Sequence, residues 1–144
     1  MTQTAILYPV FVQVALTFFL QVWMRIERVG AYKRGDVQFS DVSLRQQKWP
    51  ARAMQISNAF HNQLETPILF YAVVAFLMIT SQVNIVFVIL AWLFVAARLY
   101  HAYIHTGPNK QPHRSYAYLA GSAVLLVMWV LFAIRIIFFS ATGA

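Results

Sequence analysis

The sequence predicts an all-α membrane protein: a bundle of four transmembrane helices in one domain, residues 1–144. Three observations predict it. Hydrophobic residues make up 60% of the chain and charged residues 10%, where a soluble domain carries roughly 25% charged residues. Mean hydropathy is +0.62. The apolar residues gather in four runs, each near the ~20 residues that a helix needs to cross a bilayer. The basic residues gather between those runs.

The first run covers about 5–24. "MTQTAILYP" has no basic n-region and no A-x-A site follows, so a membrane span is expected here and not a cleaved signal. Pro9 falls in the first helical turns, where a missing N–H is tolerated. The loop 25–52 carries Arg25, Arg28, Lys33, Arg34, Arg45, Lys48 and Arg52. Its Gly, Asp and Ser punctuation and closing Pro50 read as an interfacial loop. Within it, "FSDVSLRQQ" reads as the start of a short surface helix capped by Ser40 or Asp41.

The second run, about 53–80, is apolar after Glu65. Only "SQVN" separates it from the third, about 83–105, so the two are expected to be antiparallel neighbours. "HTGPNKQPHR" then adds Lys110 and Arg114 before the fourth run, about 116–139. The N-terminal tail and the "SQVN" turn hold no Lys or Arg. Arg135 stands near the far end of the last run, where its stem can snorkel. Basic loops stay cytoplasmic, so both termini are expected on the periplasmic or lumenal side. The net charge of +7 reads as this positive-inside signal, with attraction to anionic lipid, and not as a nucleic-acid surface. The 12 Phe, 7 Tyr and 4 Trp suit lipid-facing and interfacial positions.

The chain has no cysteine. That excludes disulfides, thiolate metal sites and a cysteine nucleophile. The chemistry must come from the polar residues inside the spans. On a helix at 100° per residue, Gln55, Asn58, Asn62 and Glu65 fall within about 80° of one another, with His61 beside them. Arg98, His101 and His105 share one face of the third span by the same count. Glu65 lies ~18 Å and Arg98 ~14 Å along their helices from the same membrane side. An intramembrane Glu65–Arg98 ion pair is therefore expected. Interhelical hydrogen bonds could explain such residues as helix glue, at about 1 kcal/mol each or less. A buried ion pair is a poor stabiliser, however, and ionisable residues inside a membrane are functional by default.

Two other readings stay open. A non-enzymatic module that binds lipid or small anions, or acts as a scaffold, needs only the basic loops and the stripe. A metal site could form if His61 and Glu65 joined His101 and His105, whose spacing suits a shared metal. No H-E-x-x-H and no paired E-x-x-H accompanies them.

"NQLETP" opening the second span, "ARLYHAYIH" closing the third, the basic first loop and the four short spans together resemble the MAPEG family, membrane-associated proteins in eicosanoid and glutathione metabolism. The family's N-x-x-E element appears as Asn62 and Glu65, followed by Pro67, and its late third-span arginine as Arg98. The resemblance covers the whole chain in topology and about 52–116 in motifs. It implies a homotrimer of four-helix protomers, with glutathione as co-substrate bound between subunits near the cytoplasmic side. It further implies a transferase or peroxidase acting on lipophilic electrophiles or hydroperoxides that enter from the bilayer. Candidate glutathione contacts are then Arg25, Arg28, Asn62, Glu65, Arg98, His101 and His105. Arg114 is the candidate catalytic residue that stabilises the thiolate. The sequence departs from the better-known eukaryotic pattern. Asn58 replaces an arginine one turn before Asn62, His101 and His105 stand where tyrosines are usual, and "TGPNKQPH" is longer. The variant resembles bacterial members of the family, which implies an inner-membrane location.

Overall fold

The computed structural model describes residues 2–43 and 48–139. Arg45 and the rest of the expected surface helix beyond Ser43 lie outside the described residues.

The described chain is all helical. A 3₁₀ turn, Gln3–Ile6, runs into α1 (Leu7–Lys33). A short α2 (Phe39–Val42) lies in the first loop. The second span is two helices, α3 (Ala51–His61) and α4 (Thr66–Ile79), joined by a 3₁₀ turn at Asn62–Leu64. Then follow α5 (Ile85–Thr106) and α6 (Gln111–Ile134), which ends in a π-helical turn, Arg135–Phe139. Four of these units are long and apolar enough to cross a membrane: Gln3–Lys33, Ala51–Ile79, Ile85–Thr106 and Gln111–Phe139.

Three expectations change. α1 does not stop near Met24 but continues to Lys33. The apolar count measures what lipid tolerates, and a helix can continue beyond it. Here Trp23 donates to Glu27 one turn on, at 3.1 Å, and supports the extension. The cap of α2 is neither Ser40 nor Asp41. It is Gln38, whose N–H donates to the Asp41 carboxylate at 3.0 Å. The second span is not one helix. Glu65 sits at φ −97°, ψ −107°, outside the helical region. Pro67 enters the first turn of α4, where its missing N–H and its ring break the helical ladder behind it.

α5 is central. It packs most extensively on α6 and also meets α1 and α3, while α4 leans on α6. The larger core lies toward the α4–α5 turn, where Phe70, Val73, Leu77, Phe87, Phe94, Met128 and their neighbours are buried. Phe70 and Phe94 stack with ring centroids 4.6 Å apart. A smaller cluster, Leu20, Ala59 and Ala102, joins α1, α3 and α5 nearer the basic end.

Between the two cores lies a polar belt. Gln13 donates to Gln63 at 3.0 Å and Gln63 donates to the Ala59 carbonyl at 3.1 Å. Both glutamines are fully buried, so α1 is clamped to the break between α3 and α4. The opposite end is tied by polar bonds too. Asn84 caps α5 by accepting from Val86 and Phe87 N–H groups at 2.9 and 3.3 Å. Arg135 donates to Gln82 at 2.8 Å across the turn.

Candidate functional site

The site is built where α3 gives way to α4, opposite the last turns of α5 and the first turns of α6. Arg98, His101 and His105 fall on one face of α5, and that face is buried. Arg98 is 1% exposed. Its Nη2 donates to the Asn62 carbonyl at 2.9 Å. That carbonyl belongs to the 3₁₀ turn, where regular helix bonding has lapsed. Nε and Nη1 of Arg98 have no partner.

Arg98 and Glu65 do not form the expected ion pair: the ion pairs among the described residues are Arg34–Asp36, Lys48–Asp41 and Arg52–Glu27. Tyr118 of α6 stands between them. Its hydroxyl donates to the Glu65 carboxylate at 3.3 Å, and the Arg98 guanidinium carbon lies 5.8 Å from its ring centroid. The change in backbone direction at Glu65 turns the carboxylate outward, and Glu65 is exposed.

His101 and His105 pack edge to face with centroids 5.5 Å apart, and His101 also lies 5.8 Å from the Tyr118 ring. The Nδ1 atom of each is buried and unpartnered. The four-ligand metal arrangement does not form. Among the described residues no three His, Cys, Asp or Glu side chains gather around a common point. His61 is turned to its own helix, 3.5 Å from Ser57.

A cleft of about 370 Å³ opens over this cluster, lined by Asn62, His101, Gln111, Arg114, Ser115, Tyr118 and Leu119. Arg114 reaches it from α6. Its guanidinium is held by the side chains of Asn109, at 2.7 Å, and Gln111. Thus Asn62, Glu65, Arg98, His101, His105 and Arg114 come together in one region. Arg25 and Arg28 do not join them. They line a separate cleft of about 450 Å³ on the outer face of α1 with Gln21, Val22, Met24 and Val29. Arg28 donates to Ser57 at 2.6 Å and stacks on Trp49 at 5.2 Å. The rest of the expected stripe is structural or exposed. Gln55 donates to the His105 and Gly107 carbonyls at 2.8 and 3.2 Å, and Asn58 is exposed.

Residues 6–134 match the MAPEG family. The chain belongs to that family. MAPEG proteins are membrane glutathione transferases and peroxidases, and the all-helical fold with four candidate spans is theirs. No curated protein and no solved structure gives a significant match.

For a MAPEG chain, the side chains that sequence reasoning underrated are Gln111, Ser115 and Tyr118. The signal was present. In "QPHRSYAY" they fall, with Arg114, at i, i+3, i+4 and i+7, one face of a helix. Reading that segment as a loop up to Tyr116 hid the periodicity, because α6 begins at Gln111.

Proposed function

We propose that this MAPEG chain is a glutathione-dependent transferase or peroxidase for lipophilic electrophiles or hydroperoxides. Its site lies between copies of a homotrimer, on the cytoplasmic side of a bacterial inner membrane, with both termini periplasmic. The observation that carries this reading is Arg98: a fully buried arginine with two unpartnered nitrogens, set behind a cleft that Arg114 enters.

The donor set fits glutathione, which carries two carboxylates, an ammonium and a thiol. Glu65 is exposed and bonded only to a neutral hydroxyl, so it can take an ammonium. Arg98 presents free donors of the kind that bind carboxylates in a fork. Asn62, His101 and His105 add polar groups around it. The cleft lies in the lower part of the ~300–1,000 Å³ range of small-molecule sites. Glutathione supplies the thiol nucleophile. Arg114 stabilises the thiolate form by its positive charge, which raises the reactive fraction near neutral pH.

The second anion contact comes from Arg25 and Arg28. They face outward, away from the Arg114 cleft of their own chain, as residues that complete a neighbour's site would. Tyr116 and Leu119, exposed beside that cleft, give an apolar approach from lipid.

The deciding experiment is thermal unfolding of the detergent-purified trimer with and without millimolar glutathione, for the native chain and Glu65→Gln. A ligand at 100 times its Kd adds about 2.7 kcal/mol to the folded state. A shift that Glu65→Gln abolishes supports the reading. No shift at any attainable glutathione concentration overturns it.

A further inference from the structure

We propose that a second site, on the outer side of the α5–α6 corner, binds the phosphate headgroup of an anionic phospholipid. A notch of about 180 Å³ lies there, lined by Tyr100, Tyr103, Ile104, Pro108, Lys110 and His113. It shares no residue with the Arg114 cleft: Tyr100 and Tyr103 lie on the face of α5 away from Arg98 and His101, and the buried Ile104 forms its floor. At this volume it accommodates a phosphate group but falls below the ~300 Å³ at which small-molecule sites begin.

Its position selects lipid. The notch sits where the α5 span ends, at Thr106. Tyr100 and Tyr103 are exposed, and such tyrosines mark the level of the headgroups. Below the notch, Ile89, Leu93, Ala96, Tyr100 and Tyr103 form one exposed stripe on α5 at helical spacing. From Leu93 to Tyr103 the stripe runs ~15 Å, which is one leaflet of a ~30 Å hydrocarbon core. A headgroup held in the notch therefore places its acyl chains along that stripe.

Its charge selects an anion. Lys110 and His113 are exposed. The sequence has four acidic side chains, and each is engaged elsewhere. Glu27 pairs with Arg52, Asp36 with Arg34 and Asp41 with Lys48, while Glu65 accepts from Tyr118. No acidic side chain of the fold balances the notch. Its frame is fixed by backbone bonds, from Gly107 N–H to the Tyr103 carbonyl at 3.0 Å and from Asn109 N–H to the Ile104 carbonyl at 2.7 Å.

The test compares melting temperatures in nanodiscs of phosphatidylcholine alone and with one third phosphatidylglycerol. The native chain melts several degrees higher with phosphatidylglycerol. The Lys110→Gln/His113→Gln double variant, changed only at exposed positions, loses that difference, and Lys110→Gln alone loses part of it. Lys33→Gln, at the end of α1, keeps it. Inorganic phosphate added to phosphatidylcholine discs does not reproduce it. The proposal is overturned by equal melting in the two lipids or by a double variant that keeps the difference. It is equally overturned if Lys33→Gln loses the difference as fully, since the effect is then diffuse surface charge, or if inorganic phosphate suffices, since the site then takes free anions.

Discussion

Arg98 donates its one hydrogen bond to the main-chain carbonyl of Asn62, at 2.9 Å. The carboxylate three residues further on is not its partner. An arginine buried for stability would be expected to have its donors satisfied, since each unsatisfied buried group costs about 1–3 kcal/mol. Replacement by an apolar side chain of similar length should therefore cost little. Arg98→Met is expected to unfold within about 1 kcal/mol of the native chain and to lose the rise in melting temperature that the proposed glutathione site predicts. A large drop in stability without ligand would instead make Arg98 an anchor of the fold.

Arg114 offers the opposite separation. Its contacts are the side chains of Asn109 and Gln111 at the surface. Arg114→Ala should change stability by no more than about 0.5 kcal/mol. Stabilisation by glutathione should persist, because the proposed carboxylate and ammonium contacts do not involve Arg114. Turnover with a lipophilic electrophile should fall on the order of 100-fold, the usual loss when a stabiliser of developing charge is removed. Full turnover in the variant would remove Arg114 from the chemistry.

The Gln13–Gln63 clamp can be read by a double-mutant cycle. Gln13→Leu leaves the Gln63 carbonyl oxygen buried without its donor, and Gln63→Leu strands Gln13. Each single change should cost about 1–2 kcal/mol. The double change should cost less than the sum by about 0.6–1.5 kcal/mol. Strict additivity would mean that the two amides do not depend on each other.

The α4–α5 turn gives a prediction of two signs. Asn84→Ala removes a cap that serves two N–H groups and should cost about 1 kcal/mol. Ser81 holds φ +56°, so Ser81→Gly should recover up to about 1 kcal/mol of left-handed strain. Urea or thermal unfolding in one detergent measures both.

Most of the fold was legible because lipid imposes one rule on every residue of a span. Apolar runs of the right length, flanked by Arg and Lys, leave few other structures open. The buried face of Arg98, His101 and His105 was legible from spacing alone. Gln13 was not. One amide in an apolar run has no periodicity, and its partner, Gln63, was masked by the more conspicuous Asn62 and Glu65 on either side. The break at Glu65 could have been read from Pro67, which cannot continue the helix behind it. Treating the second run as a single rod led directly to the Glu65–Arg98 pair, since depth along a straight helix was the basis for matching them. The outward cleft of Arg25 and Arg28 was not legible, because arginines at the end of a span serve as positive-inside anchors on any face of the helix.

The short uncharged turn between α4 and α5 bears on how the protein is made. Residues 80–84, "TSQVN", carry no ionised side chain, and the flanking helices α4 and α5 are more apolar than α1, α3 or α6. A charge dragged through the hydrocarbon centre costs about 2.5–3.5 kcal/mol on the insertion scale. This hairpin drags none. During biosynthesis α4 and α5 can enter the bilayer together as a hairpin, with the turn leading, and without an open pore being held around a hydrophilic loop. α1 and α6 lack such a partner joined by a short neutral turn, so their insertion is the stage at which assembly should depend most on the cell's membrane-insertion machinery.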